Sequence, residues 1–315
     1  MTVVLGDIGG TNTRLCINKA GSKRLLNLRV FKNRNYESFY QLLDEYLVTL
    51  PKELFPEFGV FAVAGPVLEG KVRLTNLNWN ISCGYLKRRF KLKKVVLVND
   101  LFALAASIVF TGKRYCDSVK SGKKKKRLPK AFIAPGTGLG ESILVSTNPL
   151  TILPTEGGHI FFAPLSKEEF EYLEFLKTKG EELSWEKAIS GPAISFWYEF
   201  FWGQVIPPEK VTELAKNGDE KALRVIKKFF ELLGKKASQL AFVSLPFGGI
   251  YIAGGVSQAL KDFFFDPSCK KEFFRGYFLN EKMRHLLENF EINLYLNHPH
   301  PVLLGALVIA HSQKF

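Results

Sequence analysis

An asparagine and an aspartate stand side by side directly after a run of four apolar, mostly β-branched residues at 95–98. Such a run predicts a strand buried on both faces, as in the middle of a parallel sheet. The alanine-rich segment 101–110 predicts a buried helix. Asn99 and Asp100 thus fall at the carboxyl end of a central strand, where open α/β sheets bind ligands. Because Asn and Asp also cap helices, an N-cap role for Asp100 is the alternative.

A short segment near the start of the chain combines adjacent glycines with small polar residues. This segment, Gly-Gly-Thr-Asn at 9–12, follows a strand predicted over 3–7 that ends on Asp7, and a returning strand is predicted over 13–18. Adjacent glycines let a backbone approach a ligand closely, and Thr and Asn add short polar groups beside it. A plain β-hairpin turn explains the glycines equally well.

The same pattern returns in the second half of the chain. A strand predicted over 130–134 leads into Gly-Thr-Gly-Leu-Gly at 136–140, and a return strand is predicted over 142–146. The recurrence predicts two structurally related domains that face one ligand. Neither turn is a Walker A loop, because no Gly-Lys-Ser/Thr follows, and neither has the glycine spacing of a Rossmann fingerprint.

Further polar and glycine-rich positions follow these turns. Gly254-Gly255 lies between a predicted strand and a helix predicted from Ser257, and a helix N-terminus offers N–H groups to an anion or a nucleotide. Glu156, His159 and Glu186 lie in predicted loops, Glu186 ahead of a Gly-Pro pair expected to break a helix. Taken singly, Glu186 suits a surface or capping acid, and a lone histidine is more often structural.

The chemistry that these residue types permit is narrow. The chain lacks the Gly-x-Ser-x-Gly elbow of serine hydrolases and the His-Glu-x-x-His spacing of zinc enzymes. Carboxylates and carboxamides can form hydrogen bonds with sugar hydroxyls, and glycine turns can bind a nucleoside triphosphate. Phosphoryl transfer needs mainly positioning, charge neutralisation and one base.

Helical periodicity predicts a helix over 36–50 and a core helix over 219–244, to which we assign no chemistry. The phenylalanine-rich segment 263–274 indicates packing or an interface, and a short apolar helix is predicted over 302–311.

Basic residues outnumber acidic ones by 44 to 30 in this chain of 315 residues, a formal net charge of +14. Half of the excess comes from the segment 120–130, which contains Lys120, Lys123, Lys124, Lys125, Lys126, Arg127 and Lys130. With turn-forming residues among them, these charges predict a solvated loop. A contact with a polyanion is the alternative, but no interleaved aromatic residue or DNA-binding motif accompanies it. We therefore expect no specific nucleic-acid partner.

No apolar run is long enough to cross a membrane, and the N-terminus lacks the basic start of a signal peptide, so we expect no membrane partner. The four cysteines, Cys16, Cys83, Cys116 and Cys269, have no paired spacing. This argues against a zinc site and for reduced thiols in the cytoplasm.

In the order of its motifs the chain resembles the bacterial-type ATP-dependent glucokinases. The motifs are Gly6-Asp7-Ile8-Gly9-Gly10-Thr11-Asn12, Val98-Asn99-Asp100, Gly136-Thr137-Gly138-Leu139-Gly140, Glu156-Gly157-Gly158-His159, Glu186 before Ser190-Gly191-Pro192, and Ala253-Gly254-Gly255. They cover nearly the whole chain, and the combination is specific although each motif is weak alone. The related repressor/kinase sugar family has a cysteine-rich zinc motif that is missing here.

The resemblance implies a hexokinase/actin-like (ribonuclease H-like) α/β fold, with two related α/β domains and an interdomain cleft. By analogy, residues 1–112 and 301–315 form the small domain, and residues 113–300 form the large domain. The lysine-rich segment and the stretch 263–277 have no counterpart in the family pattern.

The resemblance also implies the roles of single residues. Asp100 is the general base. The sugar is held by Asn99, Asp100, Glu156, His159 and Glu186. ATP is bound by Asp7, Gly9, Gly10, Thr11, Asn12, Gly136, Thr137, Gly138, Gly254 and Gly255. Asp7 is also expected to hold Mg²⁺, through water.

The expected function is ATP-dependent phosphorylation of D-glucose to glucose 6-phosphate, by a cytoplasmic homodimer. One alternative is the same chemistry on another hexose, such as mannose or fructose. A second is a sugar-binding regulator that has lost catalysis. The intact Asp100 and both threonine-glycine turns count against the regulator, because a sensor needs no phosphate turns.

Overall fold

The computed structural model describes residues 1–19, 21–74, 77–123, 127–296, 298 and 300–313. The chain divides into two units. The first contains Met1–Arg114, Ser146–Pro154 and His298–Phe315, and the second contains Tyr115–Val145 and Thr155–Asn297.

The strands of the described residues are β1 (Thr2–Ile8), β2 (Asn12–Lys19), β3 (Leu26–Lys32), β4 (Phe58–Val63), β5 (Lys71–Leu74), β6 (Trp79–Ser82), β7 (Lys94–Asn99), β8 (Cys116–Lys120), β9 (Lys130–Pro135), β10 (Leu139–Thr147), β11 (Leu150–Thr155), β12 (Ile250–Ile252) and β13 (Ile292–Tyr295). The α-helices are α1 (Phe39–Val48), α2 (Cys83–Arg89), α3 (Asp100–Thr111), α4 (Lys167–Thr178), α5 (Gly191–Trp202), α6 (Pro208–Lys216), α7 (Glu220–Ser244), α8 (Gly255–Ala259), α9 (Pro267–Tyr277), α10 (Arg284–Leu287) and α11 (Pro301–Ser312).

The main sheet of the first unit has the strand order β3-β2-β1-β4-β7. β1 and β2 form the predicted antiparallel hairpin, whereas β1, β4 and β7 run parallel. Ile8 pairs with Val63, and Val63 pairs with Asn99. The carboxyl ends of these three strands therefore lie at one edge of the sheet, which carries both Asp7 and Asp100.

The expectation that residues 95–98 form a central strand is wrong. β7 is the last strand of this sheet among the described residues, and Val95, Val96 and Val98 are only partly buried. Contacts with α2 and α3 explain the apolar composition of the strand, because helices cover apolar side chains as well as neighbouring strands do.

The second unit repeats the arrangement of the first. β9 and β10 form an antiparallel hairpin, and β9 pairs in parallel with β12, which pairs in parallel with β13. β8 pairs with the other side of β13. The predicted recurrence of one hairpin pattern in two related units is confirmed.

The 25-residue helix α7 is the longest described helix and organises the second core. Its predicted start at Asp219 is a cap: the Asp219 carboxylate accepts a hydrogen bond from the Ala222 N–H at 2.8 Å. α9 packs against α7, with Phe273 and Tyr277 buried, so the predicted packing role of the phenylalanine-rich segment is confirmed. No helix in the described ranges has both the length and the apolar character needed to cross a lipid bilayer.

The expectation of a solvated loop over the lysine-rich segment is wrong at both ends. Lys120 ends β8, and its ammonium donates to the carbonyl oxygens of Glu288 at 3.0 Å and Phe290 at 2.6 Å. Lys130 begins β9 and donates to the Gly248 carbonyl at 2.9 Å. Residues 124–126 lie outside the described residues. The pattern of charges failed here because it does not show which ammonium groups face backbone carbonyls.

α3, which begins with Asp100, packs closely against α11 in the first unit. A Cβ atom at Gly305 would lie 1.6 Å from the Ala103 carbonyl oxygen, so any side chain at this position would push the helices apart. Glycine at 305 therefore sets the distance between the two helices.

We predict that Gly305→Ala lowers the free energy of unfolding by about 1–3 kcal/mol, the usual cost of overpacking. Thermal or urea unfolding measures it. The matched control is Gly84→Ala in α2, where a new Cβ meets its nearest neighbours at 3.6 and 3.8 Å. Since alanine favours helix, the control should be neutral or more stable by up to about 1 kcal/mol. Equal melting of Gly305→Ala and the parent would contradict the close packing.

Candidate active site

The first glycine turn is closed by its own backbone and by one buried asparagine. The Gly9 N–H donates to the Asn12 carbonyl at 3.0 Å. Asn33, which is 1% exposed, donates through its side chain to the Gly9 carbonyl at 2.7 Å and through its backbone N–H to the Thr11 carbonyl at 3.0 Å. The Thr13 hydroxyl donates to the Asn33 side-chain oxygen at 2.8 Å. Asn33 thus holds both ends of the turn, a role that the sequence analysis missed.

Asp7 lies one residue before the end of β1, with its side chain only 14% exposed. Its Oδ2 accepts a hydrogen bond from the Arg14 guanidinium on β2 at 3.0 Å. Burial raises the pKa of the Asp7 carboxyl, and the positive charge of Arg14 opposes this rise.

Asn99 and Asp100 have different positions at the start of α3. Asn99, rather than Asp100, is the N-cap of α3: its side-chain oxygen accepts from the Leu101 N–H at 2.8 Å. The Asn99 side-chain amide donates to the Gly65 carbonyl at 3.2 Å. Asp100 is the first residue of the helix, and its Oδ1 also accepts from the Leu101 N–H, at 2.9 Å. N–H groups in a first helical turn stabilise negative charge, which suits a carboxylate at this position.

A cavity of about 400 Å³ lies beside the first glycine turn. Its lining residues are Gly10, Thr11, Asn12, Lys32, Arg34 and Leu77. Two exposed cations belong to no motif recognised in the sequence: Lys32, the last residue of β3, and Arg34, two residues later. Two cations and a glycine turn at one cavity are suited to phosphate groups.

In the second unit, the glycine turn at 136–138 is contacted from two other segments. The Gly136 N–H donates to the Gly138 carbonyl at 2.8 Å, and the Gly136 carbonyl accepts from the Gly191 N–H at 2.8 Å. The Glu186 carboxylate accepts from the Leu139 N–H at 3.0 Å. The structure therefore places Glu186, expected at the sugar, directly against the turn expected at the phosphates.

The sequence predicted that the Gly-Pro pair after Glu186 breaks a helix. In the structure this pair begins one. Gly191 and Pro192 open α5, and the Ser190 hydroxyl caps it by accepting from the Ala193 N–H at 3.3 Å. Proline is favoured in a first helical turn because it has no N–H to satisfy and its φ is already helical. Glu186 itself lies in a short 3-10 turn, Trp185–Lys187.

Glu156 precedes a second 3-10 turn, Gly157–His159, and His159 is the last residue of that turn. Both side chains are exposed, whereas Gly157 and Gly158 are buried. The His159 ring lies 3.6 Å from the Glu182 carboxylate. The Trp185 N–H donates to the Ile160 carbonyl at 3.0 Å. This backbone hydrogen bond connects the segment that carries Glu156 and His159 to the segment that carries Glu186.

Gly254 lies next to the end of β9, at the sheet edge that carries the glycine turn at 136–138. Its φ of +90° lies in a region that residues with a side chain rarely adopt. A Cβ atom at this position would also lie 2.4 Å from the Pro135 carbonyl oxygen. The loop after β12 thus contacts the end of β9. Gly255, the next residue, begins the five-residue helix α8.

One acidic residue lies where it could hold a magnesium ion carried by a nucleotide. Within the part of the chain that the structure describes, no group of three or more His, Cys, Asp or Glu side chains could hold a metal. Mg²⁺ in phosphoryl-transfer sites keeps several waters and uses one or two carboxylates together with substrate phosphates. Asp7, next to the first glycine turn, is suited to that role.

Comparisons with known proteins agree with the motifs. A family model described as Glucokinase matches residues 4–313. The glucokinase of Nitrobacter hamburgensis is 36% identical over an alignment of 279 positions that covers 86% of this chain and 86% of that protein.

Solved structures share the fold. A glucokinase from an Antarctic psychrotroph has a TM-score of 0.83 at 26% identity, with 98% of each chain covered. A ROK family glucokinase from Streptomyces griseus, in complex with glucose and AMPPNP, has a TM-score of 0.66 at 20% identity, covering 97% of this chain and 98% of that one. The resemblance inferred from the motifs and the hexokinase/actin-like fold are confirmed.

We predict that replacing both Lys32 and Arg34 by alanine raises the Kd for Mg·ATP about tenfold, the effect of one lost charge-assisted hydrogen bond. Calorimetric titration measures it. The matched control replaces Lys71 and Arg73, an exposed pair of the same types and spacing on β5 that does not line the cavity. If both double variants bind Mg·ATP equally well, Lys32 and Arg34 do not contact the phosphates.

Proposed function

Because the chain belongs to the glucokinase family, we propose that it transfers the γ-phosphoryl group of ATP to D-glucose, giving glucose 6-phosphate and ADP. The observation that carries the proposal is the family match across residues 4–313, which spans every predicted site residue. No single motif would support it alone.

Asp100 is the proposed general base. Its carboxylate accepts the proton of the 6-hydroxyl as that oxygen attacks the γ-phosphorus and ADP leaves. The position supports this role: the carboxylate stands at the start of α3, next to Asn99, whose side chain is fixed by Gly65 and Leu101. A base that neither rotates freely nor depends on a mobile loop is held ready for the hydroxyl.

Glu156, His159 and Glu186 are the proposed partners of the other sugar hydroxyls, together with Asn99. The exposure of Glu156 and His159 supports this, because side chains that bind a ligand must be reachable. The contact of Glu186 with Leu139 adds a condition: one of its oxygens is already engaged by a backbone N–H. Glu186 therefore acts as a fixed acceptor close to the glycine turn.

The nucleotide is proposed to bind through backbone and short side chains rather than through a Walker A lysine. The contributing residues are Asp7, Gly9, Gly10, Thr11, Asn12, Gly136, Thr137, Gly138, Gly254 and Gly255. Magnesium, when bound with ATP, neutralises phosphate charge in such reactions, and Asp7 is proposed to hold it through water.

Two further properties belong to the proposal. All four cysteines are free thiols, which supports a reducing compartment such as the cytoplasm, where glucose enters glycolysis. A homodimer is proposed from the family resemblance, and light scattering in solution distinguishes it from a monomer.

Asp100→Asn tests the base, because the amide keeps an oxygen for the Leu101 N–H but cannot accept the sugar proton. We expect kcat with glucose and ATP to fall about 10²–10⁴-fold, the range typical of a positioned acid–base group, with an unchanged melting temperature. The control is Asp44→Asn in α1, a half-exposed carboxylate paired with Arg89 on the surface. It should keep the parental kcat, and a near-parental kcat for Asp100→Asn would refute the assignment.

A panel of glucose, mannose, fructose and 2-deoxyglucose tests the substrate. We expect the highest kcat/KM for glucose, and a loss of about tenfold or more for 2-deoxyglucose, because a charged partner loses one hydrogen bond. Glu156 is proposed to accept a hydrogen bond from the 2-hydroxyl, so Glu156→Gln should reduce this discrimination, since the amide is a weaker acceptor.

Two outcomes would correct this picture. A faster reaction with mannose or fructose than with glucose would assign another hexose. Unchanged discrimination in Glu156→Gln would show that Glu156 does not contact the 2-hydroxyl.

A further inference from the structure

A buried ion pair lies against the backbone of the segment that carries Glu156 and His159. Lys236, in the middle of α7, and Glu141, on β10, have side chains that are 3% and 5% exposed, with 2.8 Å between ammonium and carboxylate. The Lys236 ammonium also donates to the Gly157 carbonyl at 2.9 Å. Neither residue belongs to the motifs of the family resemblance, and the helix that carries Lys236 was expected to have no chemical role.

Glu141 holds the same segment from the other side. A Cβ at Gly157 would lie 2.1 Å from the Glu141 Oε2, so the carboxylate packs directly on the glycine. The Glu141 carbonyl accepts from the Thr155 hydroxyl at 3.3 Å, and that hydroxyl accepts from the Gly157 N–H at 3.3 Å. Residues on both sides of Glu156 are thus tied to Glu141.

Lys236 also contacts the second sugar segment. Its ammonium lies 5.7 Å from the centre of the Trp185 ring, within the range of a cation–π interaction. Trp185 directly precedes Glu186. One buried ammonium therefore contacts both segments that carry the proposed sugar partners of this unit.

Stability alone does not account for this pair. Removing two charges from water is energetically costly, and an apolar pair of similar volume is often equally stable or more so. Burial raises the pKa of the Glu141 carboxyl, and the charge of Lys236 opposes that rise. What an apolar pair cannot supply is the directional hydrogen bond to the Gly157 carbonyl.

We propose that Lys236, held in place by Glu141, is a positioning residue for sugar recognition. It fixes the backbone at Gly157 and the ring of Trp185, so that Glu156, His159 and Glu186 are arranged before the sugar arrives. It acts through these residues and does not touch the sugar. The inference rests on the proposed function, because it concerns the same sugar site.

Lys236→Met removes the ammonium and nearly preserves side-chain length. We expect the KM and Kd for glucose to rise about tenfold or more, since small displacements of binding groups are costly, whereas kcat and the KM for ATP change less than about twofold. Glucose Kd is measured by calorimetry and KM by a coupled assay.

A double variant separates positioning from stability. Lys236→Met alone leaves the Glu141 carboxylate buried without its cation, which lowers the melting temperature. Glu141→Leu combined with Lys236→Met removes that charge but does not restore the bond to Gly157. We expect the double variant to regain melting temperature but to keep the weak glucose binding. Parental glucose binding in the double variant would overturn the proposal.

The matched control is Lys235→Met, the neighbouring residue on α7. Lys235 is also buried, at 6% exposure, and pairs with Glu231 at 3.0 Å and with Glu169. Its loss should lower the melting temperature with little change in glucose Kd. An equal rise in glucose Kd for Lys235→Met and Lys236→Met would refute a specific role of Lys236.

The outcomes distinguish this inference from the proposed function. A parent chain that binds glucose without phosphorylating it refutes the function, and the Kd values of the variants still decide the positioning role. A parent chain that binds no glucose refutes both. An active parent whose glucose Kd is insensitive to Lys236→Met refutes only the inference.

Discussion

Each unit depends on one strand that pairs in two different ways. β1 is antiparallel to β2 and parallel to β4, and β9 is antiparallel to β10 and parallel to β12. A hairpin turn after such a strand must lie at the same sheet edge as the carboxyl ends of its parallel neighbours. Strand pairing therefore brings the glycine turn at 9–12 to the same sheet edge as the start of α3, and the turn at 136–138 to the same edge as the start of α8. The side chains at these edges need no long loops to bring them together.

The second unit also contains buried ion pairs, which are formed by lysines of α7. α7 presents apolar residues to the core, and it also carries Lys228, Lys235 and Lys236 at 3–7% side-chain exposure, each paired with a carboxylate. Lys235 and Lys228 share Glu169 on α4, whereas Lys236 is paired with Glu141 on β10. Neighbouring lysines on one helix thus have different surroundings: Lys235 joins two helices, and Lys236 contacts the sheet and the segments that carry the proposed sugar partners.

The sequence predicted the parts of the molecule that local patterns encode. Both hairpins, the long helix and the position of Asp100 after a strand follow from periodicity and motif order. The edge position of β7 could not be predicted, because an apolar run indicates that a strand is buried but does not show where it lies in the order of strands. The N-cap role of Asn99 rather than Asp100 depends on one pair of backbone angles. Asn33 and Lys236 act through partners 24 and 79 residues away, and a sequence motif contains no sign of such contacts.

The close packing of α11 on α3 has a consequence for the order of synthesis. The first unit contains the first 114 residues, but α11 leaves the ribosome only after the whole second unit has been made. Until then the apolar side of α3 around Ala103 lacks the helix that covers it. The second unit, which is nearly continuous in the chain, can fold in the meantime. The helix that carries the proposed base therefore gains its packing partner only after the second unit has been synthesised, and fragments that end before residue 301 lack that partner.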